Sequence, residues 1–222
     1  MPADLLLSSI RAELREQADP ALAPGQQAYM KSAMPFLGVR VPAVRAVVRQ
    51  LAKGETDAAM VQDAALMLWR NAEFREERYA ALALMALRPL RGDIETLPVH
   101  EEMIRTGAWW DLVDEAAHRL RELIDRNPML LAAELRVWAD DEDFWVRRAA
   151  IICQLGRREA TDLDLLEYAI LANIDDGEFF IRKAIGWALR ELGKTNPNWV
   201  RAFAARHPLS PLSRREALKH LG

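Results

Sequence analysis

AWWDLVDEAAHRLREL, residues 108–123, sets two tryptophans and two carboxylates at the head of an amphipathic helix. Three other stretches run in phase with it: EFREERYAALALMAL from Glu73, DFWVRRAAIICQL from Asp143 and EFFIRKAIGWALREL from Glu178. Their starts are 35 residues apart each time. An aromatic recurs at Phe74, Trp109, Phe144 and Phe179, and these four read as core. Second helices fall between the repeats, around 93–105, 128–138, 162–172 and 198–206. Thr56-Asp57 and Thr161-Asp162 read as helix N-caps, and Asn127-Pro128 and Asn196-Pro197 as caps followed by proline in the first turn. Breakers such as Pro20, Gly54, Gly92, Gly156 and Gly177 keep the connections short.

A two-helix unit at a fixed period predicts an all-α chain, a curved α-solenoid of HEAT-like repeats in which equivalent helices line one concave wall. Residues 1–222 read as a single domain, with GVRVPAVRAVVRQLAKG from Gly38 as a degenerate first unit or cap. Alternation of strand type is absent. The one cysteine, Cys153, lies in an apolar run, so no disulfide framework exists and a reducing compartment is expected. The N-terminus lacks a cationic head and long apolar centre, and no segment is apolar for the roughly 18 residues of a membrane span. A soluble cytoplasmic protein is expected.

The net charge of −3 conceals an asymmetry. From Phe179 onward nine lysines and arginines face only Glu191 and Glu216, a balance of +7. The preceding residues therefore carry −10. A basic end on an acidic body suits a surface that meets phosphate, and equally a solvated helix end.

Repeats act as internal controls, because a position that departs from its siblings is under a different demand. At the 35-residue spacing Asp114 corresponds to Tyr79, Ala149 and Ala184, and Trp187 to Leu82, Ala117 and Ile152. Trp110 and Asp114, four residues apart, project from one side of their helix and form a candidate grip for something apolar and cationic. Lys183, Trp187, Arg190 and Lys194 make one stripe, fit either for a phosphate backbone with a sugar or base against the indole, or for a solvated face. Arg148 is placed to face either Asp114 or a phosphate. Tyr29 either reaches the same groove or packs. The four histidines have no ligand spacing, so no metal is expected. Phosphate-loop, dinucleotide and serine-hydrolase motifs are absent.

The stretches AYMKSAMPFLGV, AWWDLVD, FWVRRAAI, EFFIRKAIGWALRELGKTNP and LSPLSRREALKH resemble the AlkD-like bacterial DNA alkylation repair proteins, from about residue 28 to 220. The resemblance implies a cofactor-free, monofunctional glycosylase that removes cationic N3- and N7-alkylated purines, such as 3-methyladenine and 7-methylguanine, from double-stranded DNA without flipping the base. It implies Asp114 as the catalytic carboxylate, with Trp110 and Trp187 against the deoxyribose and backbone. Arg148 would hold phosphate near the lesion. Tyr29, Phe180, Lys183, Arg190, Arg214 and Arg215 would line the DNA groove, and Lys194 extends the stripe. A monomer is expected. The alternatives are a non-catalytic HEAT-type module for branched or damaged DNA and a protein–protein scaffold, against which the basic stripe speaks. Without the resemblance, Asp111 and Asp114 are equal candidates for the groove-facing acid.

Overall fold

The computed structural model describes residues 2–221, and among them every regular element is helical. The chain divides into two compact units, residues 1–91 and 92–222.

The first unit contains α1 (Ala3–Glu16), α2 (Ala23–Met30), α3 (Val41–Leu51), α4 (Ala58–Arg70) and α5 (Arg75–Met85). Leu6, Ile10 and Leu14, four residues apart, give α1 a buried stripe. Asp57 caps α4 by accepting from the Met60 N–H at 3.1 Å. Two buried glutamates of α5 tie the unit together. The Glu76 carboxylate accepts the backbone N–H groups of Leu37, Gly38 and Val39 at 2.9, 2.9 and 3.1 Å. Glu77 pairs with Arg11 and Arg15. A carboxylate taken from water costs several kcal/mol unless donors replace its hydration, so these partners are obligatory. Gly38 is a glycine for two reasons. Its φ is +92°, and a Cβ there would lie 2.0 Å from the Asp19 carbonyl oxygen.

The second unit contains α6 (Leu97–Gly107), α7 (Trp110–Arg126), α8 (Pro128–Ala139), α9 (Phe144–Ile152), α10 (Leu163–Leu171), α11 (Phe179–Leu192), α12 (Pro197–Arg206) and α13 (Pro211–Ala217). The caps lie where local chemistry places them. Asp143, Asp162, Glu178 and Asn196 accept from the N–H groups of Trp145, Leu165, Phe180 and Trp199. Asn127 precedes α8 as expected, but makes no side-chain cap there; its amide instead donates back to the Leu123 carbonyl. The α9 helix packs against α7, α8 and α11, and seven of its nine residues are buried. It is therefore the pillar of the unit, apolar on all sides apart from its arginines.

The repeat is less even than its sequence period. The helices α5, α7, α9 and α11 begin at residues 75, 110, 144 and 179, so the middle interval is one residue shorter. The in-phase aromatics also differ from expectation. Phe74 and Trp109 precede the first turns of α5 and α7, Phe144 and Phe179 open α9 and α11, and Phe179 is 52% exposed. None of the four is fully buried; the core aromatics among the described residues are Phe36, Trp69, Tyr79, Trp138, Trp145 and Phe203. The reason is position: a side chain at a helix start projects past the end of the packed cylinder.

His100 of α6 is 2% exposed and its Nδ1 has no partner among the described residues. Burial, with Arg119 nearby, lowers its pKa from 6.5 to about 4. The unfolded chain thus binds the extra proton first, and the stability held above pH 6.5 is lost as pH falls toward 4. Between pH 7 and pH 5 urea unfolding should show wild type losing about 2 kcal/mol more than His100→Gln. Parallel losses in the two proteins would show that His100 is not the titrating group.

Candidate functional site

The turn between α6 and α7 shapes the site first. Ala108 closes α6 with φ +43°, a left-handed conformation that costs a residue with a Cβ about 1 kcal/mol. Trp109 then runs extended, and α7 starts at Trp110. The buried face of α7 is Leu112, Val113, Ala116, Ala117, Leu120, Leu123 and Ile124. Trp110, Asp114 and His118, at i, i+4 and i+8, form a separate stripe that is only half-buried.

Asp114 meets Arg148 of α9 in a two-pronged ion pair. Nε donates to Oδ1 at 2.7 Å and Nη2 to Oδ2 at 2.8 Å. The third prong, Nη1, donates to the Phe180 carbonyl of α11 at 2.6 Å. The guanidinium is 6% exposed and the carboxylate 13%, so the acid keeps a route to solvent. Burial pushes the Asp114 carboxyl up from its ordinary value, and Arg148 pulls against it. With a permanent cation forked onto both oxygens the group is a carboxylate at neutral pH. Of the two partners open to Arg148, Asp114 is the one the folded chain itself supplies.

The shortened interval explains this pairing. The 35-residue spacing sets Asp114 beside Ala149 and Ala184. Counted from the first helical residue, Tyr79, Asp114, Arg148 and Lys183 each stand fifth. The ion pair supports this register independently. Asp114 and Arg148 are thus counterparts on adjacent helices, and acid and base replace one another along the row.

Aromatic rings close the N-terminal side. Phe180 lies 5.5 Å from Trp109 and 4.9 Å from Trp145, centroid to centroid, and Arg148 sits 5.9 Å from its ring. On the other side, Trp187 of α11 meets His118 edge-on at 6.1 Å and 84°. Phe180 is therefore built into the site by ring and backbone alike.

The cationic stripe is less available than its sequence suggests. Lys183 pairs with Glu216 of α13 at 3.3 Å, and Arg190 pairs with the same carboxylate. Burial opposes ionisation of Glu216, but Lys183 and Arg190 hold its carboxyl below the ordinary value. Lys194 pairs with Glu191 at 2.5 Å and is itself mostly exposed. Gly186 makes the docking of α13 feasible, since a Cβ there would lie 2.6 Å from the Glu216 Cβ and 3.0 Å from the Ser213 carbonyl oxygen. The buried Ser213 hydroxyl donates to the Arg182 carbonyl at 2.9 Å, fixing the helix. Arg214 donates to the Ala204 carbonyl at 2.6 Å, and Arg215 is exposed. Tyr29 belongs to α2 of the first unit and is 73% exposed rather than packed.

Asp114, Arg148 and Phe180 thus converge, with Trp187 joined to the α7 stripe through His118. His118 and Glu216 were not singled out as site residues from the sequence, although the i+4 spacing from Asp114 was visible. Among the described residues no group of three or more His, Cys, Asp or Glu side chains could hold a metal ion.

The profile of the family of DNA alkylation repair enzymes matches residues 10–221. A solved structure described as a predicted DNA alkylation repair enzyme from Enterococcus faecalis is 33% identical, with a TM-score of 0.85 over 93% of this chain and 97% of that one. AlkD2 from Streptococcus mutans is 16% identical, with a TM-score of 0.65 over 82% of this chain and 90% of its own. The protein smu.31 from Streptococcus mutans UA159 is 18% identical, with a TM-score of 0.64 over 81% and 92%. These last two likenesses speak to the fold alone. No curated protein matches the chain.

Removing Arg148 should expose what the ion pair does. In Arg148→Ala the Asp114 carboxyl, left to burial alone, should titrate at higher pH by carboxyl-selective NMR, and urea unfolding should lose about 3–5 kcal/mol. An unmoved titration would mean that the pair is not formed in solution.

Proposed function

The chain belongs to the family of DNA alkylation repair enzymes, and from that premise we propose that it is a monofunctional glycosylase for cationic alkylated purines in duplex DNA. The observation that carries this reading is the Asp114 carboxylate, mostly buried but with a route to solvent, and held by Arg148 on the same helix face as Trp110. The substrates proposed are 3-methyladenine and 7-methylguanine nucleotides, with residues 1–222 serving as a single DNA-binding repeat domain. DNA is the partner that the family implies. The protein acts as a monomer in the cytoplasm; among the described residues no helix is long and apolar enough to cross a membrane.

Alkylation at N3 or N7 puts a positive charge on the purine, so the base leaves with the bonding electron pair and becomes neutral. The C1′–N bond needs little acid assistance. Charge moves to the sugar as an oxocarbenium-like centre. A carboxylate about 4 Å from that centre is worth about 4 kcal/mol at an effective dielectric constant of about 20, roughly a thousandfold in rate. Water then attacks C1′ and its surplus proton passes to solvent. Trp110 and Trp187 supply indole faces for the sugar and for the positive charge. Because the reacting atom is on the sugar, the base need not be everted, and selectivity follows from bond lability.

Arg148 sets a condition on this mechanism. Bound to Asp114 it lowers the carboxylate's net field, so the site is strongest when a backbone phosphate shares the guanidinium. The remaining proposed contacts are Tyr29, Phe180, Lys183, Arg190, Lys194, Arg214 and Arg215 along the duplex. A second reading, a module that binds damaged DNA without releasing a base, is favoured by one fact: both Asp114 oxygens are already engaged.

One assay separates the two. Wild type should release 7-methylguanine from methylated duplex, and Asp114→Asn should do so about a thousandfold more slowly, with duplex binding within a few-fold. Base release at the wild-type rate by Asp114→Asn would sink the catalytic assignment, and binding without release by wild type would establish the second reading. Removing the counter-charge on the stripe should act on binding alone. Glu216→Gln should bind undamaged duplex more tightly at low salt, with log Kd against log salt steeper by about one unit. An unchanged slope would show that Lys183 and Arg190 do not meet phosphate.

A further inference from the structure

The row that holds Asp114, Arg148 and Lys183 has a companion one turn further along each helix. Counted from the first helical residue, the ninth positions are Ala83 in α5, His118 in α7, Ile152 in α9 and Trp187 in α11. Ala83 is small and Ile152 is fully buried, whereas His118 and Trp187 are half-buried and meet each other. Their rings stand at 84° with centroids 6.1 Å apart, the edge-to-face arrangement aromatic pairs prefer. Since α9 packs against both α7 and α11, this contact and the Trp109–Phe180 contact join those helices at two levels. The Asp114–Arg148 pair belongs to the turn between them.

We propose that His118 is a positioning residue that holds the Trp187 indole at the rim of the Asp114 site. An indole has two free torsions, and among the described residues Trp187 has side-chain packing to choose among its rotamers. His118 supplies a rigid, flat ring at a fixed height above Asp114, four residues away on the same helix face. Burial keeps the imidazole below its ordinary pKa, so it meets the indole as a neutral ring. A neutral neighbour leaves the indole its attraction for a positively charged nucleotide. At the 35-residue spacing His118 corresponds to Ala83, Cys153 and Ala188, none of which could reach across to a ring.

The kinetic consequence rests on the glycosylase reading; the contact itself does not. Two readouts therefore test it separately. In a proton–nitrogen NMR spectrum of the free protein, the Trp187 indole N–H is the resonance that disappears in Trp187→Phe. His118→Ala should shift and broaden it, and His118→Phe, which keeps a ring edge, should leave it sharp. An unmoved Trp187 resonance in His118→Ala overturns the proposal. In base release from methylated duplex, His118→Ala should lower kcat/KM up to about tenfold, the worth of one aromatic pair. The loss should fall mainly on KM, whereas a folding defect would lower kcat through the active fraction and leave KM alone. His118→Phe should recover most of it. The double variant His118→Ala with Trp187→Ala should be no worse than Trp187→Ala alone; losses that multiply would overturn the proposal. A wild type that releases no base would end the glycosylase reading, and the indole resonance would still decide the contact.

Discussion

One guanidinium holds the second unit in register. Arg148 reaches from the central helix α9 to the Asp114 carboxylate of α7 and to the Phe180 carbonyl of α11, and spends all three of its nitrogens doing so. Taking a carboxylate and a guanidinium out of water costs several kcal/mol for each ion, and only close geometry with every donor matched offsets it. Sliding α7 along α9 would leave a charge unmatched, and sliding α11 would take the acceptor from the third guanidinium nitrogen. The acid proposed as catalytic thus doubles as a structural tie, and the chemistry proposed for it depends on how readily Arg148 can be shared.

The surroundings of the pair follow from where each helix begins. Because Phe144 and Phe179 open their helices and Trp109 precedes one, their rings project beyond the cylinders and gather with Trp145 and Phe180 at one end. Two turns later, His118 and Trp187 meet from opposite sides of α9. The acid between these two levels lies against Arg148, with 13% of its side chain exposed. In such a place a charge acts at short range and low screening.

Electrostatics along α11 are set by a different device. The strongly positive tail of the sequence carries its own counter-ion, for Glu216 sits between Lys183 and Arg190. The close approach at Gly186 brings it there. Paired cations are held in fixed rotamers, which favours an incoming phosphate, while the carboxylate between them competes with it. The formal charge of the segment therefore overstates its pull on DNA.

Much of this was legible in local sequence. Helical periodicity, the Asp57, Asp162 and Asn196 caps, proline at the start of α8 and α12, and the candidacy of Asp114 with Trp110 all depend on residues within a turn or so of one another. So does the all-helical class, while the two-helix repeat shows as a 35-residue period in the sequence. The burial of Glu76 and Glu77, the choice of Arg148 for Asp114, the capture of Lys183 and Arg190 by Glu216 and the meeting of His118 with Trp187 were decided only by the tertiary structure. The physical reason is angular. One residue more or less between α7 and α9 turns a side chain by about 100° around its helix, and no local signal records that step. The shortened interval swung Arg148, rather than Ala149, opposite Asp114.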